Sequence, residues 1–131
     1  MKEPNELNLP DDVRYSEEHE WAKKDGDTVI VGITDYAQDQ LGDIVYVELP
    51  QMGAVFEKGA VFGTLESVKA VSEVFMPVAG EVVGVNSDLE NTPEAVNKDP
   101  YGAWLVRVKP VDPSDMDDLM TREAYLNHLK G

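Results

Sequence analysis

The sequence predicts a mostly β, α+β domain: a flattened β sandwich/barrel hybrid with short helices and a C-terminal helical tail. Three observations predict it. Short runs rich in valine and aromatics recur from Glu20 to Lys109, bounded by glycine, proline or Asp/Asn turn signals. After Asp112 the apolar period changes, placing Met116, Leu119 and Met120 on one helical face. The chain is also roughly symmetric about Lys69, with Gly59 ten residues before it and Gly80 eleven after. Two similar hairpin-like halves would give a flattened sandwich with that lysine at one end.

The elements follow in order. Residues 1–12 are polar and proline-punctuated and are expected to form a flexible N-terminal segment, leaving 13–131 as a single domain. Glu20 to Lys24 and Thr28 to Thr34 read as strands joined at Asp25-Gly26, because glycine tolerates the positive φ of a tight turn. Thr34 or Asp35 caps a short helix through Leu41, stopped by Gly42. Strands are expected over Ile44 to Leu49, at Val55-Phe56, over Val61 to Val68, Val71 to Met76 and Glu81 to Val85. Asn86 to Asn97 is turn-rich with one helical turn, and Trp104 to Lys109 alternates as a last strand. Asp112-Pro113 is an N-cap followed by proline at the first helical position. A second helix, Thr121 to Lys130, turns Tyr125, Leu126 and Leu129 inward. Trp21 and Trp104 are expected in the core, each needing a partner for its indole N–H, and Gly42, Gly53 and Gly80 in turns.

Composition limits the chemistry. The 131 residues make one domain with a single modest core. Eleven basic against 26 acidic side chains give a net charge of −15, which repels nucleic-acid backbones and anionic membranes. Such acidity favours docking onto partners with basic mouths. There is no cysteine, so thiolate nucleophiles, disulfides and zinc–thiolate sites are excluded; sulfur chemistry would need a prosthetic group. No apolar run approaches the ~18 residues that span a bilayer. The first ten residues read as neither secretory signal nor transit peptide, and a cytoplasmic protein is expected.

Residues for autonomous catalysis are few. His19 and His128 are far apart in sequence and lack an adjacent nucleophile; packing suits the first, and a place near a helix C-terminus suits the second. The acids Asp112, Asp115, Asp117 and Asp118 lack the glycine and spacing of a calcium loop, so no metal is expected. No phosphate-binding glycine motif occurs. Lys69 is different. It sits where two strand-like runs meet, with the nearest lysine, Lys58, eleven residues back. A hairpin folded about Glu66 to Ala70 lifts one isolated amine to its apex, as a modifying enzyme requires. The bland alternative for a turn lysine is a solvated side chain.

Glu66-Ser67-Val68-Lys69-Ala70 resembles the lipoyl-lysine segment of the glycine cleavage system H protein family. The segments Tyr15–Trp21, Val31–Ala37, Gln40–Asp43, Val47–Pro50, Pro77–Val82 and Asn97–Gly102 resemble that family in its order, so the likeness runs from Tyr15 to Leu129. Gly102-Ala103-Trp104 is one residue shorter than the family's usual connection. The resemblance implies the lipoyl/biotinyl carrier type of sandwich and a non-catalytic carrier with (R)-lipoate covalently bound to Lys69. Glu66, Ser67, Val68 and Ala70 would be read by a lipoyl ligase or transferase. It further implies passage of an aminomethyl group from a pyridoxal-phosphate glycine decarboxylase to a tetrahydrofolate-dependent aminomethyltransferase. Dihydrolipoyl dehydrogenase would then reoxidise the carrier.

Lysine plus lipoate spans on the order of 14 Å, from bonds of roughly 1.5 Å. In H proteins a surface cleft shelters the loaded arm from water; Glu20 is the candidate lining residue, with Gln40 and Glu73 after it. Ordinary charged decoration is the alternative for Glu66 and Glu73. Rival readings are a biotinyl carrier, which should show Met-Lys-Met, and a 2-oxo-acid dehydrogenase lipoyl domain, which should show Asp-Lys-Ala in a shorter module. An H-like relay or scaffold handing lipoate to other complexes needs the same lysine, and remains the alternative function.

Overall fold

The computed structural model describes residues 2–130. After a 3-10 turn at Pro4–Glu6 come strands β1 (Arg14–Tyr15), β2 (Glu20–Asp25) and β3 (Thr28–Ile33). Gly26, at φ 64°, makes the β2–β3 turn as expected. Helix α1 (Asp35–Leu41) starts at Thr34, whose hydroxyl accepts from the Ala37 amide at 3.2 Å, and ends at Gly42. Strands β4 (Ile44–Glu48), β5 (Val55–Phe56), β6 (Val61–Ser67), β7 (Val71–Phe75) and β8 (Gly80–Val85) follow. A 3-10 turn, helix α2 (Ala95–Lys98), strand β9 (Val106–Pro110), a 3-10 helix at Pro113–Asp118 and helix α3 (Arg122–Lys130) complete the described chain.

The strands form two sheets: six strands in the order β1-β2-β3-β9-β8-β5, and three in the order β4-β6-β7. All pairings are antiparallel. This is the flattened two-sheet sandwich that was expected, with no closed barrel among the described residues. Alternation makes the sandwich. Ile44, Val47, Leu65 and Val74 of the small sheet are buried with Val29, Val31, Val82 and Val108 of the large one. At ~25 cal/mol per Å² of apolar surface, each such side chain contributes about 2 kcal/mol towards the conformational entropy lost on folding.

A second buried cluster holds the ends of the chain onto the sandwich: Leu7, Leu9, Val13, Tyr15, Trp21 and Tyr125. Two residues of the N-terminal segment take part in it. Leu7 and Leu9 are buried, and Asp35 anchors the segment by accepting from the Asn8 amide at 2.8 Å and pairing with Lys2 at 2.9 Å. The apolar leucines in a polar stretch are the signal that the charge pattern obscured.

Three local details differ from expectation. The turn after Asp112 is a 3-10 helix, not an α-helix, although the Asp112 cap forms as expected, accepting from the Ser114 amide at 3.0 Å. Gly80 is no turn residue; it opens β8 opposite Pro110, where a β-carbon would strike the Lys109 carbonyl. Trp104 is only half-buried, while Trp21 is fully buried and its indole N–H donates to the Pro100 carbonyl at 3.1 Å. Asp99 closes the shortened connection beyond Tyr101: its carbonyl accepts from the Gly102 and Ala103 amides at 3.1 and 2.8 Å.

Candidate functional site

The β6–β7 hairpin carries Lys69 at its apex, exposed and flanked by exposed Val68 and Ala70. Ser67 shapes the turn. Its amide donates to the Ala70 carbonyl at 2.8 Å, and its hydroxyl accepts from the amides of Lys69 at 3.3 Å and Ala70 at 3.1 Å. A side-chain oxygen thus satisfies backbone donors that the end of the β6–β7 ladder leaves over. Ser67 was expected to meet a ligase; the structure shows its hydroxyl committed to the turn, with the residue 9% exposed.

One side of the apex is backed by the connection between α1 and β4. The Val68 amide donates to the Asp43 carbonyl at 3.1 Å. Beside it, a β-carbon built on Gly42 would stand 3.5 Å from Cε and 4.0 Å from Nζ of Lys69, so the lysine stem lies against bare backbone. Gly42 has φ 78° and ψ −161°, a conformation essentially confined to glycine. Asn97 of α2 braces this turn from below. Its amide nitrogen donates to the Gly42 carbonyl at 2.8 Å and to Gln38 Oε1 at 3.1 Å, and its Oδ1 accepts from the Ile44 amide at 2.8 Å. Sequence reasoning placed Asn97 in a family-like segment but assigned it no role; its three partners lie 53 to 59 residues away.

Two of the three cleft candidates, Glu20 and Gln40, line cavities that share Glu18. Glu20 is buried and reaches across from the large sheet to the small one, where its Oε2 accepts from the Phe75 amide of β7 at 3.2 Å. Its Oε1 accepts from the Ser16 hydroxyl at 2.6 Å. Burial pushes the Glu20 carboxyl up to about 8, against the lowering by these hydrogen bonds, so it is a neutral acid at pH 7. It lines a cavity of about 360 Å³ with Tyr15, Lys58, Phe75 and Leu119. Gln40 lines a different cavity, of about 300 Å³, with His19, Tyr36, Leu41 and Ser72. Two of its lining residues, Leu41 and Ser72, stand one residue before Gly42 and three after Lys69. Glu73 faces outward on β7, opposite Thr64, and shares that outer sheet surface with Glu66.

His19 stands in the left-handed region at φ 72°. Its Nδ1 is 2.9 Å from the Tyr125 hydroxyl, which is 2.9 Å from the Thr34 hydroxyl, and Tyr125 stacks on Tyr15 with centroids 4.6 Å apart. Burial, and then nearby His128, hold the His19 imidazole below its ordinary value, so the ring is neutral at pH 7. This network fastens α3 to the α1 cap.

Comparison with known proteins adds to this geometry. The family model described as glycine cleavage H-protein matches residues 13–131. A glycine cleavage system H protein of Thermus thermophilus is 57% identical over 125 residues, covering 95% of this chain and 98% of that protein. One from Bacteroides fragilis is 55% identical over 120 residues, covering 91% and 95%. The crystal structure of a glycine cleavage system H protein from Mycobacterium marinum superposes with a TM-score of 0.86 at 36% identity, covering 94% of this chain and all of that one. No helix among the described residues is long and apolar enough to cross a membrane.

Proposed function

Because this chain belongs to the glycine cleavage H-protein family, we propose that it is the lipoyl carrier of a glycine cleavage system, with lipoate joined to Lys69. The observation that carries the proposal is the placement of Lys69: one exposed amine on a rigid turn, with its stem over the bare backbone of Gly42. The residues fit the group. Attachment needs an accessible amine and room alongside its methylenes, and both are present at the apex. In that step the unprotonated amine attacks an activated lipoyl carbonyl and an amide bond forms. The activating group leaves with its bonding electrons, and the amine's proton goes to solvent.

When attached, lipoate supplies a dithiolane that accepts electrons and a carbon–sulfur bond, chemistry this cysteine-free chain cannot supply itself. The chain's own residues position the group. Ser67 sets the turn, Asp43 anchors the Val68 amide, and Asn97 holds the Gly42 turn against the lysine. Glu20 ties β7 to β2 and offers a neutral carboxyl to its cavity. Gln40, with Tyr36 and Leu41, walls the second cavity. Both cavities are places where a loaded arm is kept from water.

In this reading the carrier takes an aminomethyl group from a glycine decarboxylase and passes it to an aminomethyltransferase. Dihydrolipoyl dehydrogenase then restores it. The carrier is a non-catalytic subunit, a reading its family membership supports, and works in the cytoplasm. Co-expression with a lipoyl ligase should raise the intact mass by one lipoyl group, and Lys69→Arg should abolish the gain. A lipoyl group on Lys58 or Lys98 would overturn the assignment. Glycine–bicarbonate exchange with a purified glycine decarboxylase then separates the carrier from a lipoyl relay, which would be modified yet would not support exchange.

A further inference from the structure

The outer face of the β4-β6-β7 sheet is apolar in a way the fold does not use. Tyr46, Glu66 and Val71 are direct cross-strand neighbours in one rung, and Glu48, Thr64 and Glu73 form the next. Tyr46 is 48% exposed, Val71 64% and apical Val68 74%, and Val45 lies exposed beside Tyr46 at the β4 bulge. Of the eight large hydrophobic residues exposed on the described chain, these four and Val61 lie on this small sheet or its apex. The inward alternation of the same strands already fills the core with Ile44, Val47, Leu65 and Val74. Strand propensity accounts for valines here, but not for their concentration with a tyrosine beside the lysine.

We propose that this face, with Glu66 between Tyr46 and Val71 and with Glu48 and Glu73 on the neighbouring rung, is the docking surface for the enzyme that acylates Lys69. The inference rests on the lipoyl-carrier reading above. An unmodified lysine reaches roughly 6 Å from its Cα, so the acylating enzyme must press against the strands that flank the apex. A partner that meets the lysine through an arm of about 14 Å can stand off. The outer face of the sheet is exposed beside the apex. One side of the apex is backed by the Gly42-Asp43 turn, to which Val68 is hydrogen-bonded.

Charge narrows the occupant further. Strands β4, β6 and β7 carry three glutamates and no lysine or arginine. The surface that fits them is an apolar patch edged with basic side chains. None of the other seven lysines lies on these strands, so docking here presents Lys69 alone. Tyr46 has the character of an interface anchor: large, rigid and amphipathic.

Lipoylation kinetics of the full chain, with a purified lipoate–protein ligase, ATP and lipoate, test the proposal. Tyr46→Thr and Val71→Thr keep strand-forming residues. Each should raise KM for the carrier about tenfold, the loss expected of one anchor residue, with kcat changed less than about twofold. Glu48→Lys with Glu73→Lys should raise KM as well and should weaken its increase with added salt. Val111→Thr, at an exposed valine off this sheet, is the control and should match the parent. An unchanged KM in both threonine variants and in the lysine pair overturns the docking face while Lys69 is still modified. Thermal midpoints and circular dichroism identify any variant that has lost its fold, and Tyr46→Phe, which keeps the ring, should restore the parental KM. Failure of the parent itself to be modified at Lys69 overturns the carrier reading instead.

Discussion

Gly42 is bare where Lys69 crosses it: a β-carbon at position 42 would stand 3.5 Å from Cε of the lysine. That contact joins a helix stop to the reactive tip of a hairpin 27 residues later, and the backbone at Gly42 has the φ of 78° that only glycine adopts without strain. Gly42→Ala should therefore cost about 1–3 kcal/mol of stability. It should also slow attachment of lipoate, because strain at residue 42 shifts the adjoining Asp43 carbonyl that holds the Val68 amide at the apex. Denaturant melts and a mass-spectrometric time course measure the two effects. A variant as stable and as quickly modified as the parent would remove Gly42 from the site.

Asn97 is the brace beneath that turn. Asn97→Ala leaves the Ile44 amide and the Gly42 carbonyl without their partner, at a cost of about 2 kcal/mol. Asn97→Asp retains the acceptor for Ile44 but loses the donor to Gly42 and Gln38. It should fall between the parent and the alanine variant in stability, and follow the alanine variant in lipoylation rate. Equal rates in all three proteins would show that the brace serves folding alone.

Glu20 makes stability depend on pH. Its carboxyl is pushed up from 4.5 to about 8, mainly by burial, so between those values the folded state holds a proton that the unfolded state has lost. Stability from this group is complete below pH 4.5 and is lost as pH rises through 8. From pH 5 to pH 8 the parent should lose roughly 3 kcal/mol that Glu20→Gln, which does not titrate, retains. Urea melts at the two pH values give the difference. Parallel pH profiles for the two proteins would show Glu20 ionised throughout.

Glu66 lies exposed between Tyr46 and Val71, three residues before the lysine. Glu66→Gln should slow lipoylation severalfold, with the thermal midpoint moved by less than about 1 °C, since a surface acid without a buried partner contributes little to stability. Equal modification rates would assign recognition to the apolar neighbours alone.

Much of this architecture could be read from local pattern. The turn at Gly26, the Thr34 cap, the Gly42 stop and the two runs meeting at Lys69 are each written in a few consecutive residues. The periods of strand and helix differ enough to show where the β region ends. The same local information put an isolated amine at a hairpin apex, which is most of the candidate site. Contacts across the sandwich were not readable in this way. Glu20 meets the Phe75 amide 55 residues away, and Asn97 meets the Gly42 turn across the same sequence distance. Such pairs depend on strand register and on how the sheets stack, and no period within one segment encodes either. For that reason the two cavities lined by Glu20 and Gln40, which share Glu18, and the outward place of Glu73 on β7 became visible only in the fold. For the same reason Leu7 and Leu9, in a stretch whose charge suggested mobility, are buried beside Tyr125 of the last helix. Local sequence shaped the strands, the turns and the lysine's place at a tip. The surroundings of that tip came from long-range packing, because burial and hydrogen-bond partners exist only once distant segments meet.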